Sequence, residues 1–217
     1  MTITLHVFPP SPRAVKVLAV ANHLDLPYEI ELVDLTKGAQ KTPEFTALNP
    51  NQRIPVLVED DYVLWESNAI MQYLALKKPT SGLLPLDEAS RIDVTRWQFW
   101  DAAHWDAACA IYIFEYLVKP LIRGIPEPDA ANLARGDENF HRAAKILDAQ
   151  LKGRKFVTQD RLTLADFSLA APLHLAAAAH LPLEPYAEIQ RWYQDLGALP
   201  SWQKTMAQAA MPSSPEG

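Results

Sequence analysis

Residues Asn49 to Ile70 read N-P-N-Q-R-I-P-V-L-V-E-D-D-Y-V-L-W-E-S-N-A-I. Val56-Leu57-Val58 and Tyr62-Val63-Leu64-Trp65 are β-branched and aromatic runs separated only by Glu59-Asp60-Asp61, so the stretch predicts a short hairpin with an acidic turn. Pro55 enters the first strand, where a proline marks a cis bond or a bulge. A cis bond there turns the Ile54 amide and carbonyl outward, free to pair with a peptide-like ligand as an added strand would. Glu66 and Ser67 stand where the second strand passes into a helix. Amides at a helix N-terminus attract a carboxylate and the Glu66 carboxylate attracts an ammonium, so the pair suits a zwitterionic amino-acid head. The plainer reading makes Ser67 the N-cap of that helix and Glu66 a solvated strand end.

Upstream, Ile3, Leu5 and Val7 alternate with Thr2, Thr4 and His6 as a half-buried strand does, with His6 a neutral strand residue. After Pro9-Pro10-Ser11-Pro12, the apolar positions Val17, Leu18, Ala21 and Leu24 share one helical face. Tyr28 to Val33 alternates again, which predicts a βαβ unit with a parallel strand pair. Thr36 to Leu48 is polar and irregular, with room for a short helix. Downstream of the hairpin, a helix from about Ser67 to Leu76 ends in Lys77-Lys78-Pro79, cations and a proline being usual there.

Residues 80–86, T-S-G-L-L-P-L, have linker character, and beyond them the pattern turns helical. A long helix is expected from Asp87 to about Val118, stopped by Pro120, and another from Asp129 to Leu151, stopped by Gly153. Thr163-Leu164-Ala165-Asp166 has capping-box spacing, flanked by Leu162 and Phe167 as a hydrophobic staple, which makes Asp166 structural rather than catalytic. Further helices are expected around 164–179, 187–196 and 201–210, followed by a mobile tail from Pro212 to Gly217. The division is therefore an α/β domain over 1–79, a linker over 80–86 and an all-helical domain over 87–217.

Composition narrows the function. The chain has 217 residues, 49% hydrophobic and 21% charged, the profile of an ordered globular protein. A formal charge of −6 supplies no basic field for nucleic acid or an anionic membrane. No apolar run approaches the roughly 20 residues that span a bilayer, and no secretory signal stands at the N-terminus. The single cysteine, Cys109, forms no internal disulfide and reads as a buried small hydrophobe, which suits a reducing compartment; the cytoplasm is expected. No His, Cys and carboxylate cluster has metal spacing, and neither a nucleophile elbow nor a phosphate-binding glycine loop is present, so no metal is expected.

Ser11 precedes a helix with Pro12 at its first position, the sequence of an N-cap. A hydroxyl facing helix amides still has a proton to donate, and it lies in the positive end of the helix field, where a thiolate is stabilised. A free thiol has a pKa of about 8.5, so even a unit or two in favour of the charged form matters near neutral pH.

With I-P-V-L as a cis-proline strand and W-E-S-N-A-I as a γ-glutamyl site, the chain resembles the cytosolic glutathione S-transferases over nearly its whole length. The resemblance is to the serine-type members, closest to the phi and theta-like classes. It implies a thioredoxin-like N-terminal domain followed by a helical C-terminal domain, and conjugation of the glutathione thiolate to a small electrophile, as in detoxification, with glutathione as cosubstrate. It implies Ser11 as the catalytic serine, with a basic residue following at Lys16. Glutathione would be held by Gln40, Lys41, Arg53, Ile54, Pro55, Glu66 and Ser67; Gln40 stands where the phi class often has histidine, and Arg53 where relatives often place Gln or Lys. Phe8, His104, Trp105, Ala108 and Tyr112 are the implied electrophile-site candidates, although the aromatic helix 91–116 also reads as core or subunit packing. A homodimer is implied. A non-catalytic protein of the same fold, or another glutathione-dependent enzyme such as a peroxidase, dehalogenase or isomerase, would share the glutathione half of these motifs.

Overall fold

The computed structural model describes residues 2–158 and 161–210, so the tail expected from Pro212 to Gly217 lies outside the described residues. The chain divides into two compact units, one formed by 1–81 with the segment from Leu199 onward, the other by Gly82–Ala198. This departs from the sequence-based division at both ends. Leu83 and Leu84 of the expected linker are buried, and the Leu83 carbonyl accepts a hydrogen bond from the Leu164 amide, so that segment belongs to the second unit. The last helix belongs to the first.

The first unit is built on a four-stranded sheet of order β2-β1-β3-β4, with β1 Ile3–Val7, β2 Tyr28–Leu32, β3 Val56–Glu59 and β4 Tyr62–Trp65. β1 and β2 are parallel, as the βαβ alternation predicts, and β3 runs antiparallel to both β1 and β4. Leu57 pairs with Leu5 on one face while Val56 pairs with His6 on the other, and both β3 residues are fully buried, so both faces of the central sheet are covered. α1 (Pro12–His23), α3 (Ser67–Lys77) and α10 (Pro200–Ala209) pack together, α1 against both of the others. That explains why every residue of α1 from Ala14 to Ala21 is buried, where sequence periodicity shows only one apolar face. α10 is secured by polar contacts: Asn22 Nδ2 donates to Thr205 Oγ1 (2.8 Å) and Gln208 Oε1 (2.9 Å), and the Tyr28 hydroxyl donates to Asn22 Oδ1 (2.8 Å).

Across the sheet from α1, the irregular segment after β2 forms two single-turn 3-10 helices, Leu35–Lys37 and Ala39–Lys41, and α2 (Pro43–Leu48), capped by Thr42. Its Phe45 joins Val33, Ile54 and Val56 in a buried cluster against which Phe8, Leu35, Ala39 and Leu48 pack.

The second unit is helical. The long helix expected to stop before Pro120 instead runs from Glu88 to Arg123 as α4 (Glu88–Trp100), a π-helical turn over Asp101–Trp105, α5 (Asp106–Ile113), a second π turn over Phe114–Val118 and α6 (Lys119–Arg123). Pro120 is tolerated because the π turn just before it has already interrupted the regular ladder in which a proline N–H would be missed. The run ends instead at Gly124, whose φ of 63° is the left-handed conformation that glycine adopts freely. α7 (Ala130–Leu151) is capped by Asp129, and α8 (Leu164–Ala170) and α9 (Ala187–Gly197) follow. Asp166 is structural, as its spacing predicts. Its buried carboxylate accepts from the Val157 and Thr163 amides (both 2.9 Å), the Thr163 hydroxyl (3.1 Å) and Trp192 Nε1 (3.0 Å).

Candidate functional site

Sheet topology collects the candidates of the first unit at one end. β1 and β2 are parallel and finish together, Val7 beside Leu32, so the loop carrying Ser11 and the segment carrying Gln40 and Lys41 leave the sheet at the same edge. β3 starts at that edge, Val56 pairing with His6, which puts Ile54 and Pro55 there; β4 finishes there, Trp65 pairing with Val56, which delivers Glu66 and Ser67. The carboxyl ends of parallel strands are where open α/β sheets bind ligands.

The Ile54-Pro55 bond is cis. Among the described residues no hydrogen bond engages the Ile54 backbone, which lies just outside the β3 ladder. The loop before it is set by Asn49, a buried residue that sequence reading left without a role. Its side-chain amide donates to the Arg53 carbonyl (2.6 Å) and its Oδ1 accepts from the amide and side chain of Asn51 (3.0 Å each). The signal was present in the Asn-Pro-Asn sequence, because Asn side chains close turns onto backbone groups two residues on. Arg53 itself is exposed, as is Lys41, while Gln40 carries a buried Oε1 with no hydrogen-bond partner among the described residues.

Ser67 is not the N-cap of α3 but its first residue, and it is buried. The N-cap position falls to Glu66, at φ 73° and ψ 110°, whose side chain makes no capping bond. A non-glycine residue at positive φ costs roughly 1–3 kcal/mol and persists where the surroundings impose it, commonly at ligand sites. The exposed Glu66 carboxylate is thereby kept off its own helix and left available.

Ser11 does hold the N-cap position of α1, its carbonyl accepting from the Ala14 and Val15 amides (2.9 Å each). Its half-buried side chain, however, makes no capping hydrogen bond. Of the two roles expected of this hydroxyl, the capping bond is not made, so the group is not committed to the helix. Five residues on, Lys16 is 2% exposed, and its Nζ donates to Asn68 Oδ1 (3.2 Å) in the first turn of α3.

The electrophile candidates separate. Phe8 is half-buried on the Phe45 cluster in the first unit. In the second unit, Trp105 is fully buried against Phe140 (centroids 5.2 Å) and its Nε1 donates to the Leu169 carbonyl (2.8 Å). Tyr112 is likewise buried, its hydroxyl donating to Asp137 (3.1 Å). These two are core, because the turns that carry them face α7 and α8. His104 and Ala108 instead line a groove of about 450 Å³ with Trp100, Arg142 and Ile146. Cys109 is fully buried; desolvation first, then Asp106 and Asp101, pushes its thiol well above the ordinary value, so it is no nucleophile. Among the described residues no group of three or more His, Cys and carboxylates has metal-binding geometry, and no helix is long and apolar enough to cross a membrane.

Comparison with known proteins gives the same outline. Residues 1–76 match the family model of the glutathione S-transferase N-terminal domain, and 130–195 that of the C-terminal domain. Glutathione S-transferase 3 of Zea mays is 36% identical, the match covering 98% of this chain and 97% of the maize protein. The solved structure of glutathione S-transferase III in apo form is 35% identical with a TM-score of 0.83, covering 99% of this chain and all of that one. A glutathione transferase of Phanerochaete chrysosporium, solved with oxidized glutathione, is 25% identical with a TM-score of 0.84, covering 96% and 95% of the two chains.

Proposed function

The chain belongs to the glutathione S-transferase family, closest to its phi-like classes, and is a glutathione transferase; from that premise we propose how the strand-end face of its first unit holds and activates glutathione. The γ-glutamyl carboxylate lies on the first-turn amides of α3 beside Ser67, and its ammonium on Glu66. The cysteinyl backbone pairs with the amide and carbonyl of Ile54 next to Pro55. Lys41 takes the glycine carboxylate, with Arg53 at the rim, and the unpaired Gln40 oxygen accepts a donor from the tripeptide or a water it retains. The Ser11 hydroxyl donates to the sulfur, favouring thiolate over thiol. The thiolate then attacks an electrophilic carbon. A carbon–sulfur bond forms from the sulfur lone pair, and the leaving group departs with the electrons of the broken bond or, in an addition, the adjacent atom takes a proton from water.

The observation that carries this reading is the uncommitted Ser11 hydroxyl at the N-terminus of α1. The test is the thiolate absorbance of the protein–glutathione complex followed against pH, together with conjugation of an aryl halide. The thiol should titrate below its free value of about 8.5 and the halide should be consumed with loss of free thiol. A free-solution titration and no conjugation would refute it, and turnover of a hydroperoxide in place of the halide would favour the peroxidase alternative.

For the electrophile, Phe8, His104 and Ala108 remain candidates. A homodimer is supported by apolar side chains left in water: Tyr62, Val63, Trp65 and Leu76 in the first unit, and Ile92 (61% exposed) and Phe99 (72%) in the second. Sedimentation at micromolar concentration tests this, a monomer being the contrary result. A cytoplasmic location is consistent with the single, buried cysteine.

A further inference from the structure

α3 starts in an unusual way. The residue at its N-cap position, Glu66, makes no side-chain bond to the helix, so the first turn is not held by the local device that most helices use. What does reach that turn is a buried lysine from another helix. Lys16 lies among Ala14, Val15, Val17 and Leu18 of α1, all fully buried, with its stem in the apolar layer between helices, and its ammonium donates to Asn68 Oδ1 at 3.2 Å. A buried ammonium is costly unless it is hydrogen-bonded, and it is the wrong charge for the positive end of α3. A cation at a helix N-terminus becomes favourable when an anion is bound there as well.

We propose that Lys16 is a positioning residue for the amino-acid end of glutathione: through Asn68 it fixes the first turn of α3, so that the Ser67 amide region and Glu66 are presented at a set distance from the Ser11 end of α1. This rests on the glutathione site described above and adds a residue outside that site. Lys16 lies on α1, whose N-cap is Ser11, and Asn68, Ser67 and Glu66 are consecutive, so the Lys16–Asn68 bond ties the thiol-activating segment to the segment that grips the γ-glutamyl head. Losing it should loosen the grip on glutathione without altering what Ser11 does to bound thiol.

The experiment compares Lys16→Met, which keeps the length and apolar stem, with Lys16→Arg, which keeps the cation and its donors, alongside Glu66→Ala and Asn68→Ala. Lys16→Met is expected to raise the glutathione dissociation constant and KM about tenfold, with kcat at saturating glutathione and the pKa of the bound thiol within twofold and 0.3 unit of wild type, as rough limits for an effect confined to binding. Lys16→Arg should recover most of the affinity. Lys16→Met and Asn68→Ala should be strongly non-additive in glutathione affinity, because both remove the Lys16–Asn68 bond. Should Glu66→Ala weaken glutathione while Lys16→Met does not, the role of Lys16 falls and the site stands. Unchanged affinity in both would remove the site reading and this inference with it. Additive effects of Lys16→Met and Asn68→Ala, or an affinity loss that Lys16→Arg fails to recover, would reduce Lys16 to packing. Should Lys16→Met fold poorly, the Lys16→Arg and Asn68→Ala proteins decide: Asn68→Ala binding glutathione as wild type does would overturn the proposal.

Discussion

Replacing Ser11 with alanine separates chemistry from stability in this protein with unusual clarity. A serine that caps a helix costs about 1 kcal/mol when it becomes alanine. Here the cap position is filled but no side-chain bond to the helix amides exists, so Ser11→Ala should lower stability by less than about 0.5 kcal/mol, a fraction of that cap value. The hydroxyl bonded to a thiolate is a different matter. A hydrogen bond to a charged group contributes roughly 1.5–3 kcal/mol, and at 1.36 kcal/mol per pKa unit its loss should raise the bound thiol by about 1–2 units. The sign follows from the donor favouring the charged form: turnover by the variant should fall about 10- to 100-fold below the wild-type thiol pKa and recover as pH rises through the new value. Glutathione affinity, which the proposed site assigns to Glu66, Ser67 and Lys41, should stay within a few-fold. The assay pairs thiolate absorbance against pH with the pH profile of aryl-halide conjugation and with thermal unfolding. A variant with wild-type titration and wild-type rates that has lost about 1 kcal/mol would refute the reasoning, because it would return the hydroxyl to the helix.

Glu66→Gly should weaken glutathione binding while raising the unfolding temperature, since glycine relieves a φ of 73° costing roughly 1–3 kcal/mol; a less stable variant would contradict the strain argument. Glu66→Ala should lose affinity by about 2 kcal/mol, near the low end for a charged partner because the group is exposed, as calorimetry would record. Glu115 is held well down, at about 2, by Lys119, the Asp129 amide and Asn132, so its contribution is present above the ordinary carboxylate value and lost as pH falls through about 2. The stability difference between wild type and Glu115→Gln should accordingly be full at pH 7 and shrink steadily below about pH 4.5 in acid unfolding. Asp166→Ala leaves the Val157 and Thr163 amides and the Trp192 indole without their buried acceptor and, at roughly 1–3 kcal/mol for each buried donor left unpaired, should cost several kcal/mol in chemical denaturation.

How far these elements were legible depended on the range of the interaction that fixes each. The strands, the hairpin, the Asp129 and Thr163 helix starts and the Asp166 role were all readable, because alternation, turn composition and capping spacing act over a few residues. The plainer of the two readings of Ser67, as the cap of α3, fails because Glu66 takes that position at a positive φ, which no local sequence signal marks. The helix past Pro120 was missed because a π turn leaves no sequence signature that outweighs a proline.

By itself, then, the sequence determined a mixed domain followed by a helical one, and the residue types able to hold a peptide carboxylate, an ammonium and a thiolate. Tertiary structure alone decided that the segments carrying Ser11, Gln40, Ile54 and Glu66 leave the sheet at the same strand end, since register pairs His6 with Val56 and Val56 with Trp65 across gaps of 50 and 9 residues in numbering. It also decided that Trp105 and Tyr112 are core, that the last helix returns to α1, and that Lys16 reaches Asn68. The physical reason is the same throughout: local propensities are written in neighbouring residues, whereas burial, strain at positive φ and the partner of a buried charge are set by elements distant in the chain.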